Sequence, residues 1–146
     1  MSAVHARHIL IIDDADQTVA QLREVLGAAG YRVTIRRSVV SHDEVTAIAP
    51  DLIVFDPVVG DAAGPELLRR LRADPRTAGL PIIVCSSDAE AVRRLDGDVI
   101  GPGVGLVMQP IDGAELLAEI ALAWRRVAEL EPVVLREERH EAPVLA

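Results

Sequence analysis

Four uninterrupted apolar runs of strand length constrain the fold of this 146-residue chain more than any other feature of its sequence. The runs cover residues 9–12, 52–55, 81–85 and, more weakly, 106–108. Because they are continuous and do not alternate with polar residues, both faces of each strand are expected to be covered, as in a parallel sheet between two helical layers. A fifth strand is predicted at residues 31–35.

Amphipathic stretches of helix length separate these runs. The first is closed by Gly30, a typical C-terminal stop. The second begins at Ser41, which with Glu44 forms a capping-box pattern, and must end before Pro50. Three more helices are predicted at residues 65–73, 89–95 and 113–130.

A strand followed by a helix, repeated five times, predicts an α/β fold. Right-handed crossovers then give a doubly wound, five-stranded parallel sheet in the flavodoxin-like order 2-1-3-4-5, with helices on both faces. Residues 1–130 are expected to form this domain. Residues 131–146, which follow the last predicted helix, are predicted to be a mobile C-terminal tail.

The basic residues exclude several chemistries. All fifteen are Arg and none is Lys, whereas a Gly-Lys phosphate loop, a Schiff-base enzyme and a protein kinase each need a lysine. The net charge of -8 disfavours nucleic acid as a direct partner, because a phosphate backbone would be repelled. The apolar run at residues 9–12 is too short for a signal peptide or a membrane span, so a cytoplasmic protein without a membrane partner is expected.

Polar residues follow the apolar runs where a doubly wound sheet places its functional crevice, beyond the carboxyl ends of the strands. They are Asp13, Asp14, Asp56, Ser86 and Gln109. Carboxylates about 5 Å apart repel by roughly 3 kcal/mol per pair at an effective dielectric near 20. Since the chain has no lysine to offset this, Mg²⁺ is the expected counter-charge. The alternative, that strand-end aspartates only cap helices, suits Asp14 or Asp16 but not Asp56.

Four motifs resemble the receiver domains of two-component response regulators over residues 7–127. They are Ile-Leu-Ile-Ile-Asp-Asp at 9–14, Pro-Asp-Leu-Ile-Val-Phe-Asp at 50–56, Gly-Pro-Glu-Leu-Leu-Arg-Arg-Leu-Arg at 64–72 and Pro-Ile-Ile-Val-Cys-Ser at 81–86. The resemblance implies a phosphoacceptor at Asp56, Mg²⁺ ligands at Asp13, Asp14, Asp56 and the carbonyl of Val58, and a phosphoryl contact at Ser86. It also implies a histidine kinase or phosphotransfer protein as the phosphodonor partner.

The chain departs from the family pattern at the end of the fifth strand and after the third. Gln109 stands where the family has lysine, and Leu106 where it usually has an aromatic residue. A neutral amide donor contributes about 1 kcal/mol, against roughly 1.5–3 kcal/mol for a charged one. The phosphorylated state is therefore expected to be less stabilised, and the aromatic switch of the family cannot operate here. Pro57 and the pair at 59–60 also differ from the family.

Two alternative functions remain open. The first is a pseudo-receiver, which binds a partner without phosphoryl transfer and is favoured by Gln109. The second is a phosphatase of the haloacid dehalogenase type, with Asp14 as nucleophile and Asp16 as acid and base. That enzyme class requires a cation on the phosphoryl group and a late acidic pair, and residues 97–98 supply no such pair.

The output of the chain is expected to be another protein, because sixteen residues after Leu130 cannot form an output domain. The pairs Arg93-Arg94 and Arg125-Arg126 lie on the fourth and fifth helices, which receivers use for partners, and a homodimer through these helices is a further expectation. The chain is expected to act as a phosphoryl acceptor and not as a turnover enzyme.

Overall fold

A computed structural model describes residues 6–58, 62–95 and 104–141 of the chain. The strands are β1 (His8–Ile12), β2 (Arg32–Arg36), β3 (Leu52–Phe55), β4 (Ile82–Ser86) and β5 (Val104–Met108). The helices are α1 (Asp16–Ala28), α2 (His42–Ile48), α3 (Ala63–Ala73), α4 (Ala89–Arg93) and α5 (Gly113–Glu141). None of the helices in this described part of the chain is both long enough and apolar enough to cross a membrane.

The five strands form one sheet in the order β2-β1-β3-β4-β5, and every neighbouring pair is parallel. This confirms the predicted doubly wound order. In the register of the central pair, Ile12 of β1 lies opposite Phe55 of β3. The residues that follow these two strands are therefore neighbours at the carboxyl edge of the sheet.

The two faces of the sheet bury separate cores, which explains why the apolar runs do not alternate with polar residues. Ile9 and Ile11 of β1 pack into a core with residues of α1 and α5, whereas Leu10 and Ile12 pack into a second core with residues of α2 and α3. All four side chains are fully buried. A strand covered on both faces needs apolar residues at every position.

The ends of α2 follow the predicted signals. The Ser41 Oγ accepts a hydrogen bond of 3.1 Å from the backbone N–H of Glu44, as a capping residue should. At the other end Ala49 takes a left-handed conformation with φ 52°. The helix thus stops before Pro50, which would interrupt it.

Two boundaries near the C-terminus differ from the predictions. Strand β5 begins at Val104 and not at Leu106, so Gly105 belongs to the sheet. Helix α5 continues through residues 131–141 to Glu141. The predicted helix end near Leu130 was therefore wrong, because the Leu, Arg and Glu residues after Pro132 have high helix propensity. The mobility of the segment from residue 131 stays a prediction. Residues 142–146 lie outside the described part.

Gly64, in the first turn of α3, packs directly on the backbone of Pro57. A Cβ at Gly64 would overlap the Pro57 carbonyl group, so a side chain there must displace either the helix or the loop after β3. We expect Gly64→Ala to lower the free energy of unfolding by about 1–3 kcal/mol, measured by urea denaturation. Gly27→Ala is the matched control, because a Cβ on that α1 residue meets nothing within 4 Å. Equal stability of the two variants would contradict the close contact.

Candidate functional site

Asp13 and Asp56 lie side by side at the carboxyl edge of the sheet because β1 and β3 end in register. The backbone N–H of Asp56 donates to the Ile12 carbonyl at 3.1 Å, and that of Asp13 donates to the Arg36 carbonyl of β2 at 3.1 Å. Both aspartates are thus held by strand hydrogen bonds that continue one residue beyond the strands. The site is built on the sheet itself.

Asp13 is a buried carboxylate with one unsatisfied oxygen. Only 1% of the residue is exposed. Its Oδ1 accepts a hydrogen bond of 2.9 Å from the Ala15 N–H, while its Oδ2 is buried without a hydrogen-bond partner among the described residues. Burial raises the pKa of Asp13; the Ala15 N–H opposes this, and the charges of Asp56 and Asp14 add to it. A buried anionic oxygen of this kind is stabilised by a nearby cation.

Asp56 is half-buried and hydrogen-bonded. Its Oδ1 accepts a hydrogen bond of 3.0 Å from the Val58 N–H. Burial raises the pKa of Asp56, hydrogen bonds from the Val58 N–H and the Ser86 hydroxyl lower it, and the charges of Asp14 and Asp88 raise it. Ser86 ends β4 and is buried, and its Oγ also accepts from the Asp88 N–H at 3.1 Å. The structure therefore brings Asp13, Asp56 and Ser86 together, as the strand ends predict.

Asp14 and Asp16 occupy the outer side of the site. Both are exposed. Asp16 is the first residue of α1, its carboxylate pairs with Arg37, and the N-cap is Ala15, which has no capping side chain. The alternative, that Asp14 or Asp16 only caps this helix, does not hold, because no side chain caps α1 at Ala15 and Asp13 supplies the side-chain hydrogen bond to the chain entering the helix.

Among the described residues, no group of three or more His, Cys, Asp or Glu side chains is arranged to hold a metal ion. The predicted convergence of three carboxylates is thus limited here to Asp13 and Asp56, with Asp14 exposed beside them. The carbonyl of Val58, a residue that is 40% exposed, belongs to the same loop. The departures predicted at 59–60 and the acidic pair considered at 97–98 lie outside the described residues.

Gln109, which directly follows β5, is the next residue of the site. Its backbone N–H donates to the Ser86 carbonyl at 2.9 Å. Its side-chain oxygen accepts a hydrogen bond of 3.2 Å from the Thr18 hydroxyl, and its amide nitrogen lies 4.0 Å from the Cys85 Sγ. Burial, with smaller contributions from Asp13 and Asp56, raises the pKa of Cys85 to about 12, so the thiol is neutral at physiological pH.

Thr18 was not predicted as part of the site. It lies on the buried face of α1, one helical turn before Leu22, and is 8% exposed. A polar residue at an apolar position of an amphipathic helix is the signal that could have identified it, because a buried hydroxyl needs a hydrogen-bond partner.

We expect Asp13→Asn to stabilise the metal-free protein by about 1 kcal/mol. The folded-state pKa of Asp13 is raised, so its ionisation costs stability above that pKa, and the wild type should gain stability as the pH falls through it. The asparagine removes this charge. Urea denaturation in a chelator at pH 8 measures the difference, with the exposed Asp43→Asn as control. A loss of stability in Asp13→Asn would contradict the electrostatic account.

The fold and the site agree with comparisons against known proteins. The family model described as response regulator receiver domain matches residues 9–121. The phosphate regulon transcriptional regulatory protein PhoB of Rhizobium meliloti is 33% identical over 119 residues, which cover 81% of this chain and 52% of that protein. The transcriptional regulatory protein GltR of Pseudomonas aeruginosa is 31% identical over 128 residues, 86% of this chain and 52% of that protein. The chain thus spans about half the length of these relatives.

Solved structures show the same fold. The signal receiver domain of a modulated diguanylate cyclase from Desulfovibrio desulfuricans superposes with a TM-score of 0.68 at 27% identity, covering 86% of this chain and 98% of the other. The signal receiver domain of a signal transduction histidine kinase from Syntrophus aciditrophicus superposes with a TM-score of 0.67 at 25% identity. The match covers 84% of this chain and 92% of the other. Together with the site geometry, these matches establish that the chain belongs to the receiver domain family of response regulators.

Proposed function

We propose that this receiver accepts one phosphoryl group on the carboxylate of Asp56, with Mg²⁺ held by Asp13, Asp14, Asp56 and the Val58 carbonyl. The observation that carries the proposal is the buried Oδ2 of Asp13, which has no hydrogen-bond partner in the described part of the chain, beside the half-buried Asp56. The chain has no lysine that could neutralise this pair. The ligand atoms are all oxygens, which Mg²⁺ prefers.

In the proposed reaction an oxygen of Asp56 attacks the phosphorus of a phosphodonor, and the bond from phosphorus to the leaving group breaks. When bound, Mg²⁺ neutralises the carboxylates and the phosphoryl oxygens. The Ser86 hydroxyl lies beside Asp56 and can donate to a phosphoryl oxygen. The Gln109 amide can donate a neutral hydrogen bond in place of the charged one that lysine gives in the family. The chain serves as acceptor and is not proposed to turn over a substrate.

A phosphorylation-independent interaction module is the second candidate, and two observations favour it. The Gln109 amide is hydrogen-bonded to Thr18, and Leu106, at the position of the missing aromatic residue, is 45% exposed. The switch residues of the family are therefore replaced at both positions. By contrast, the arrangement does not suit the dehalogenase-type phosphatase, because it brings Asp13 and Asp56 together at the strand ends. It leaves Asp14 and Asp16 exposed, with Asp16 in a surface pair with Arg37.

We propose a histidine kinase or a phosphotransfer protein as the phosphodonor and an output protein as the partner that the signal reaches. The surface of α4, β5 and α5 is the proposed contact region, and it is also the proposed homodimer interface. It carries the exposed apolar side chains of Leu106 and Leu122 among the arginines of α4 and α5. The names of PhoB and GltR describe transcriptional regulators. Because this chain covers only about half of each protein, their transcriptional role is not part of the proposal.

Titration with Mg²⁺ followed by beryllofluoride, a mimic of the phosphoryl group, tests the proposal in the amide NMR spectrum. Mg²⁺ should shift the amide signals of residues 13–15 and 56–58, and beryllofluoride should add shifts at Ser86 and Gln109. The Asp56→Asn variant should lose the beryllofluoride response. Two results together would favour the interaction module. They are the absence of beryllofluoride-induced shifts in the wild type and the absence of Mg²⁺-induced shifts at residues 13–15 and 56–58.

A further inference from the structure

The hydrogen bond between Thr18 and Gln109 connects the first turn of α1 to the end of β5 across the site. The two residues are 91 positions apart in the sequence, and the Thr18 hydroxyl lies 3.2 Å from the Gln109 Oε1. Thr18 is buried, so water does not compete freely for this contact. A partly buried hydrogen bond between two neutral side chains is a directional restraint on the amide.

The restraint determines which end of the amide faces the phosphoacceptor. With the oxygen held by Thr18, the nitrogen lies on the opposite side, 4.0 Å from the Sγ of Cys85. In the sheet register Phe55 of β3 lies opposite Val84 of β4. Asp56 therefore follows at the level of Cys85, and the amide nitrogen beside that thiol lies at the strand that neighbours Asp56. The backbone of Gln109 is also fixed, because its N–H donates a hydrogen bond to the Ser86 carbonyl.

We propose that Thr18 is a positioning residue, which holds the Gln109 amide with its NH₂ group toward the phosphoryl site and its oxygen away from it. This inference rests on the proposed phosphorylation of Asp56. An amide without this restraint could rotate its oxygen toward the phosphoryl oxygens, where it would repel them. A lysine needs no such partner because all of its polar hydrogens are donors. The Thr18 hydroxyl therefore lets a neutral amide serve at a position that the family gives to lysine.

The composition of the chain makes the amide directly observable. Gln17, Gln21 and Gln109 carry all of its side-chain amides, since the sequence has no Asn. The NMR spectrum should contain three side-chain NH₂ pairs, which Gln17→Ala and Gln21→Ala assign by elimination. Gln17 is exposed and Gln21 donates to the Ile111 carbonyl, so only the third pair reports on the site.

The test compares Thr18→Val, which removes the hydroxyl at nearly constant volume, with Thr18→Ser, which retains it. Thr18→Val should shift the Gln109 NH₂ pair and lower the fraction phosphorylated at saturating Mg²⁺ and limiting phosphodonor by about 5-fold, the value of one hydrogen bond. Thr18→Ser should keep both the position of the Gln109 NH₂ signals and the fraction phosphorylated close to those of the wild type. Gln109→Met should lower the fraction similarly, and the double variant Thr18→Val/Gln109→Met should be no worse than Gln109→Met alone.

Three results would overturn the inference. The first is an unchanged Gln109 NH₂ pair in Thr18→Val. The second is wild-type phosphorylation in Thr18→Val while Gln109→Met is impaired. The third is full additivity of the two changes in the double variant, because a purely structural role of Thr18 would act independently of Gln109. A wild type that takes up no phosphoryl group would instead refute the proposed function, and the positioning role with it.

Discussion

The Asp56→Asn variant is expected to take up no phosphoryl group from a small phosphodonor under conditions in which the wild type is labelled. The amide oxygen of asparagine is a far weaker nucleophile than a carboxylate, and the variant also loses one of the proposed Mg²⁺ ligands. The side chain keeps its size, so the Val58 N–H can still donate to it. The loss should therefore be chemical and not structural, which an unchanged urea midpoint would verify.

The phosphatase alternative predicts the opposite dependence. With Asp14 as nucleophile, Asp14→Asn would abolish sustained hydrolysis of a small phosphate ester, and Asp56→Asn would have little effect. The exposed Asp14 and the pairing of Asp16 with Arg37 argue against such turnover. Measuring released phosphate for both variants separates the two schemes, and sustained turnover by the wild type would contradict the acceptor proposal.

Gln109→Lys is expected to raise the fraction phosphorylated, or occupied by beryllofluoride, by about 5- to 30-fold. Replacing a neutral donor with a charged one gains about 1–2 kcal/mol of contact with the phosphoryl group, which corresponds to this range. Residue 109 lies within the site, since the backbone N–H of Gln109 donates a hydrogen bond to the Ser86 carbonyl and its side-chain amide lies beside Cys85. The charge of lysine should thus reach the phosphoryl oxygens.

The comparison must be made at saturating Mg²⁺, because a lysine would also pair with Asp56 in the unphosphorylated state and compete with the ion. Gln109→Met is the matched control: it preserves length without a donor, and it should lower occupancy. If lysine and methionine both left occupancy at the wild-type level, residue 109 would not contact the phosphoryl group. If Asp56→Asn also left partner binding unchanged, the phosphorylation-independent module would be favoured.

The arrangement of the strands and the main carboxylates could be predicted because it depends on short-range patterns. Continuous apolar runs such as residues 9–12 require burial on both faces, and that requirement leads to a parallel sheet with a known crossover handedness. Once the strands are parallel and in register, Asp13 and Asp56 must be neighbours at the same edge. The proximity of these two aspartates follows from the positions at which two apolar runs end.

The contacts that depend on helix rotation and side-chain reach could not be predicted. Whether Thr18 faces β5 is decided by the packing of α1 against the sheet, and the ion pair between Asp16 and Arg37 depends on the path of the chain after β2. The extent of α5 was missed for a different reason. Pro132 is an unfavourable residue inside a helix, but the propensity of the residues after it favours continuation, and the two local signals oppose each other.

The intact mass of the wild type after treatment with a small phosphodonor, with and without Mg²⁺, tests the central claim most directly. The account predicts the addition of a single phosphoryl group in the presence of Mg²⁺ and none in the presence of a chelator. Peptide mapping should place the group on the segment that contains Asp56. An unchanged mass with Mg²⁺, or a phosphoryl group on any other residue, would contradict it.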